Sequence, residues 1–143
     1  MRRIVIATHG ALAKGYVDTL SMLGVPAGRV RSLGFYGDES CNESTIDELL
    51  NNVPAGDQLV ICTDVGFGSV NQMFVRGLAA RPHLDTLLVT GVNLPLVLEL
   101  ALDDKPLDED GLAELVREAS AQVCVVDVSS ITKSAGTDEE DFF

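Results

Sequence analysis

Three continuous apolar runs, Ile4-Val5-Ile6-Ala7, Leu59-Val60-Ile61-Cys62 and Leu87-Leu88-Val89, recur along the chain with helix-like stretches between them. Strands that are apolar throughout need cover on both faces, which is the pattern of a parallel sheet wrapped by helices. Residues 30–35 add a strand of alternating character, and residues 123–128 a fifth. The chain is therefore expected to be α/β: a mainly parallel, doubly wound, flavodoxin-like sheet of about five strands with helices on both faces, in the order 2-1-3-4-5.

The intervening helices are legible from spacing. One is predicted over 11–23, with Leu12, Tyr16, Leu20 and Leu23 as its apolar stripe, ended by Gly24 and Pro26. Thr45 and Glu48 have the spacing of a capping box and open a second, ending near Val53. Val70, Met73, Phe74, Gly77 and Leu78 share one face of a third. Pro95 suits the first position of a short apolar helix over 96–102. A last one, over 109–121, turns Leu112, Leu115, Val116 and Ala119 inward. One domain over residues 1–130 is expected, followed by a loose acidic tail over 131–143.

Charge and cysteine usage exclude several classes. The formal net charge of −12 repels phosphate backbones, so nucleic acid is not an expected partner. No apolar run is long enough to span a bilayer, and the apolar part of Met1–Ala7 is too short for a signal peptide, so a cytoplasmic location is expected. Cys41, Cys62 and Cys124 lack metal-ligand spacing and read as small buried hydrophobes in a reduced compartment, Cys62 and Cys124 within apolar runs. With no metal or nucleotide motif, no metal site and no cofactor are expected.

In open parallel sheets, ligands bind beyond the carboxyl ends of the strands, where the strand order reverses. The first strand ends Thr8-His9-Gly10, the third ends Thr63-Asp64 before Gly66, Gly68 and Ser69, and the fourth ends Gly91-Val92-Asn93. In the expected order the first and third strands are neighbours, so His9 and Asp64 face each other. A carboxylate accepting one imidazole N–H fixes the tautomer and stabilises the charge formed when the other nitrogen attacks. Gly66, Gly68 and Ser69 lead into a helix N-terminus, whose free N–H groups favour an anion. A His–Asp pair beside such a cradle suits phosphoryl relay between proteins. Taken alone, the pair reads equally well as a surface histidine and a helix cap. Thr8 either donates to a phosphoryl group or packs, and Asn93 either contacts the site or shapes its loop. Thr63 points to the opposite strand face.

Ile4-Val5-Ile6-Ala7-Thr8-His9-Gly10 resembles the opening of the mannose-type IIA components of sugar phosphotransferase systems, whose phosphoaccepting histidine sits in a similar Thr-His-Gly context. Gly91-Val92-Asn93-Leu94-Pro95, followed by Glu99, is similar to a second segment of that family. The stretch from Asp64 to Ser69 is similar to a third, in which an Asp stands two residues before Gly-Gly-Ser-Pro. The resemblance covers roughly Arg3 to Leu102, with the motifs in family order. It implies that His9 is phosphorylated, that Asp64 orients it, and that Ser69 lies next to the phosphoryl group. It implies receipt from phospho-HPr, donation to a IIB component, indirect service to membrane IIC and IID components, and a homodimer formed in part by an exchanged C-terminal strand. Two positions depart from the pattern: Phe67 stands for the first family glycine and Val70 for the proline.

Three other functions compete. The phosphocarrier subunit of phosphoenolpyruvate-dependent dihydroxyacetone kinase shares this fold and chemistry; the Thr-His-Gly and Gly-Val-Asn-Leu-Pro segments favour the sugar system. A signalling receiver would carry its phosphorylated Asp where Asp64 stands, but it needs an acidic pair after the first strand to hold Mg²⁺. A regulatory module that only binds partners would not need His9.

Overall fold

The computed structural model describes residues 1–37 and 41–130. Four parallel strands, β1 (Arg2–His9), β2 (Val30–Phe35), β3 (Gln58–Thr63) and β4 (Thr86–Thr90), form one sheet in the order β2-β1-β3-β4. The helices are α1 (Leu12–Met22), α2 (Glu43–Asn51), α3 (Ser69–Ala79), α4 (Leu94–Leu102) and α5 (Glu109–Ser120).

The strict alternation of side chains along a strand divides each apolar run between two cores. Ile4, Ile6, Val60, Cys62, Leu87 and Val89 face α1, α4 and α5. Val5, Ala7, Leu59 and Ile61 face α2 and α3, where they meet Ile46, Leu50, Val70 and Phe74. The helix after β1 thus covers one face and the helix after β3 the other. Their departure in opposite directions opens a crevice between the carboxyl ends of β1 and β3. The amino end of β1 is closed by Arg2, a buried cation donating to the carbonyls of Leu100, Asp103 and Lys105 at the end of α4. A cation at a helix C-terminus meets the negative end of the dipole.

The structure corrects five expectations. The cap of α2 is Asn42, whose side chain accepts from the Thr45 N–H while Thr45 Oγ1 accepts from the Asn42 N–H. Thr45 is the third helical residue, so the helix begins earlier than the Thr45–Glu48 spacing suggests. Asn93 starts α4 at Leu94, which puts Pro95 one position inside the start. Leu12 and Leu23 are exposed at the ends of α1, and Ala13 and Leu20 carry its burial. Residues 123–127 form no strand. The sheet has four strands, Val125 is 98% exposed, and Cys124 is exposed rather than buried. An apolar run specifies a strand former, but a strand exists only where an edge pairs with it. The tail over 131–143 lies outside the described residues.

Candidate active site

His9 is the last residue of β1, and Asp64 directly follows β3. The pairing of Ala7 with Thr63 sets the two chain ends side by side. Asp64 Oδ2 lies 2.9 Å from His9 Nδ1 and accepts the His9 backbone N–H at 2.9 Å. Its Oδ1 accepts the N–H of Val65 at 3.0 Å. Partial burial pushes the Asp64 carboxyl up, but the hydrogen bonds from the His9 N–H, the His9 ring and the Val65 N–H outweigh it and hold the group below its ordinary value. An ionised Asp64 accepts the ring proton at Nδ1, so the lone pair of the neutral imidazole sits on Nε2. The His9 side chain is 42% exposed.

The segment after Asp64 is built to approach this ring. A Cβ on Gly68 would lie 3.0 Å from His9 Cε1 and 2.8 Å from Val65 Cγ2, so only glycine fits there without displacement. Gly68 is also the N-cap of α3 and brings no side chain to cap it. The first-turn N–H groups of α3 therefore stay open to an anion beside the imidazole. Gly66 faces elsewhere: its Cα packs on Thr90, where an added Cβ would lie 3.1 Å from Cγ2. The Gly66 carbonyl accepts from Asn71 Nδ2 at 3.3 Å, and Asn71 Oδ1 accepts from the buried Thr63 hydroxyl at 2.9 Å. Thr63 and Asn71 thus tie the loop to α3 from below.

Ser69 opens α3, and its hydroxyl donates to Tyr36 Oη at 2.9 Å. The Tyr36 ring stacks on His9 with centroids 5.5 Å apart and planes at 29°. Sequence reasoning missed Tyr36, although β2 borders β1 and its carboxyl end opens on the same crevice. Thr8 and Asn93 are not brought to the ring. Thr8 is fully buried, and its hydroxyl accepts from the Ala13 N–H in the first turn of α1. Asn93 caps α4 by accepting from the Leu96 N–H, and its amide donates to the Ala119 carbonyl. Both polar ends of its side chain are committed to the fold. Val70 is fully buried, and Phe67 is 91% exposed. Among the described residues, no cluster of three or more His, Cys, Asp or Glu side chains could hold a metal ion.

A cavity of about 490 Å³ lies at the far end of the sheet, lined by residues such as Arg3, Arg31, Glu48 and Val53. An imidazole as exposed as that of His9 suits a reaction partner presented by a macromolecule better than an enclosed small substrate.

Comparison with known proteins gives one consistent result. The profile of the family described as PTS system fructose IIA component, the EIIA-man family, matches residues 3–119. The sorbose-specific EIIA component of the PTS system of Klebsiella pneumoniae is 29% identical over 127 residues, covering 88% of this chain and 92% of that protein. A PTS IIA protein associated with the fucose utilization operon of Streptococcus pneumoniae superposes with a TM-score of 0.67 at 28% identity, over 87% of this chain and 92% of that one. The PTS component EIIA of Streptococcus agalactiae shares the fold, with a TM-score of 0.72 at 19% identity over 91% of this chain and 99% of that one.

Proposed function

The chain belongs to the mannose-type IIA family of sugar phosphotransferase systems, and on that basis we propose that His9 accepts a phosphoryl group on Nε2 from phospho-HPr and passes it to a IIB component. The observation that carries this reading is the 2.9 Å contact of His9 Nδ1 with Asp64, set in front of the uncapped start of α3.

The chemistry balances without a metal or an external base. The donor is a phosphohistidine whose ring is protonated on its other nitrogen. The Nε2 lone pair of neutral His9 forms a P–N bond as the donor P–N bond breaks, and that electron pair stays on the donor nitrogen. The donor leaves as neutral imidazole, and His9 becomes a phosphoryl-imidazolium with its N–H on Asp64. The carboxylate stabilises the positive ring, and the open N–H groups of α3 face the phosphoryl oxygens. Onward transfer to IIB is the same exchange in reverse. Ser69 sits next to the transferred group. Gly68 supplies the close approach, while Gly66, Thr8 and Asn93 shape the surrounding turns.

The same reading includes a cytoplasmic setting and a homodimer. All three cysteines are free thiols, as expected in a reducing compartment. Among the described residues, no helix is long and apolar enough to cross a membrane. The outer edge of β4 borders a groove of about 500 Å³ lined by Leu78, Leu87, Val89, Leu112 and Val116. The exposed run Val123–Val128 has the composition to add a strand to that edge on a second copy. Sedimentation at micromolar concentration should give a dimer, and Val125→Lys should shift it toward monomer.

The deciding experiment mixes the chain with phosphoenolpyruvate, enzyme I and HPr. The expected result is an acid-labile, base-stable label of one phosphoryl group that disappears in a folded His9→Ala variant. A base-labile label that persists in His9→Ala would move the chemistry to Asp64 and break the proposal.

A further inference from the structure

Tyr36 has a backbone that no tyrosine adopts without cause. Its φ is +63°, and it is the one non-glycine residue in the left-handed region among the described residues. Glycine would take that conformation freely, whereas an L side chain is strained there. Such outliers persist only where the surroundings over-determine them. Here they do. Phe35 is fully buried, and its carbonyl accepts the Gly10 N–H at 2.7 Å. On the other side, a Cβ on Gly37 would lie 3.2 Å from Gly10 Cα, so Gly37 is pressed against the turn that follows His9. The left-handed turn lets Phe35 enter the core while the next ring folds back over His9, and the Tyr36 hydroxyl accepts from Ser69.

We propose that Tyr36 is a positioning residue for phosphoryl transfer: its ring braces the His9 imidazole from the face, and its hydroxyl holds the Ser69 hydroxyl beside the open N–H groups of α3. This inference rests on the phosphocarrier reading. Asp64 grips the imidazole at Nδ1, and a ring so held can still pivot about its Cβ–Cγ bond. The stacked phenol removes the pivot and fixes the direction of the Nε2 lone pair. An aromatic face also favours the imidazolium that forms on phosphorylation. The lone pair must be aligned with the P–N bond being broken, so a small loss of ring alignment has a large effect on rate.

Two variants and two donors test this. Tyr36→Gly removes the ring and relieves the backbone; Tyr36→Phe keeps the ring and removes only the hydroxyl. Phosphoramidate is a small donor that cannot dock, and phospho-HPr is a protein donor. Tyr36→Gly is expected to melt no lower than the parent, yet to be labelled by phosphoramidate about tenfold more slowly. With phospho-HPr, its kcat should fall and its KM stay within about twofold of the parent. Tyr36→Phe should keep the upfield ring-current shift of the His9 ring protons in the NMR spectrum and lose only about threefold in rate. Parent-like phosphoramidate labelling of Tyr36→Gly, or an effect confined to the KM for phospho-HPr, would overturn the assignment. A parent chain labelled by phosphoramidate but not by phospho-HPr would break the relay reading instead, with the phosphoramidate rates still deciding the role of Tyr36.

Discussion

Two helices leave the same end of the sheet from neighbouring strands, and they begin differently. At α4, Asn93 accepts from the Leu96 N–H and ties its amide to the Ala119 carbonyl. At α3, Gly68 offers no side chain. The helices α2 and α5 follow the α4 pattern, with Asn42 and Asp108 as caps. In α1 the Thr8 hydroxyl serves the N–H of Ala13. The starts of α1, α2, α4 and α5 each find a side-chain partner within the chain. Among the described residues, the start of α3, where His9 and Asp64 meet, has none. A glycine at the N-cap forgoes roughly a few tenths of a kcal/mol relative to a capping side chain, and it leaves the first turn of α3 without a side-chain partner.

Substitutions at the two starts should therefore have opposite signatures. The largest effect belongs to Gly68→Ala. Its Cβ would crowd His9 Cε1 and Val65, so either the ring or the loop must shift. Phosphorylation by phospho-HPr should slow by about 100-fold, in line with an ångström-scale misplacement, while circular dichroism stays native. A native rate would mean that the loop yields and that the fit is not part of the site.

Asp64→Asn comes next. The amide can offer its carbonyl to Nδ1–H but cannot stabilise the phosphoryl-imidazolium with a charge, so labelling should slow by about 10- to 100-fold while remaining detectable. Rapid-quench measurement of the first turnover would show it. Unchanged kinetics would leave Asp64 with a structural role only.

Asn93→Ala should do the reverse of Gly68→Ala. Losing the cap costs about 1 kcal/mol, seen as a lower urea midpoint at an unchanged slope. The labelling rate per folded molecule should match the parent. A selective loss of rate with no loss of stability would return Asn93 to the site.

The smallest effect is on acid stability. The folded Asp64 carboxyl titrates below its unfolded value. Its contribution is therefore complete above the ordinary carboxylate range and is lost as pH falls through the lowered folded value. Asp64→Asn should shrink the gap between stability at neutral pH and near pH 3. Denaturant titrations at the two pH values measure it, and a gap as large as in the parent would assign the acid sensitivity elsewhere, for instance to Asp57 or Asp104, whose carboxyls are also lowered.

Much of the machinery is legible before folding. The apolar runs of β1, β3 and β4 need two covered faces, so the parallel sheet follows, and with it the meeting of His9 and Asp64 at the switch point. Three things resist such reading. The start of α2 offers two overlapping cap patterns, Asn42 with Thr45 and Thr45 with Glu48, and the fold adopts the first. Asn93 has the residue type of both a phosphate ligand and a cap, and its bond to the Ala119 carbonyl on a later helix leaves no trace in local spacing. The run 123–128 has the composition of a strand but meets no edge of its own sheet.

What the sequence determines by itself is whatever depends on periodicity and neighbours in the chain: the four strands, the helices between them, and the glycine turns that follow β1 and β3. Only the tertiary structure decides which side chains distant in sequence meet at the crevice. The Tyr36 ring reaches His9, and its hydroxyl reaches Ser69, because β2 lies beside β1 and a left-handed residue turns the chain back. That placement arises from strand order and backbone torsion acting together, and neither leaves a period in the sequence to be read.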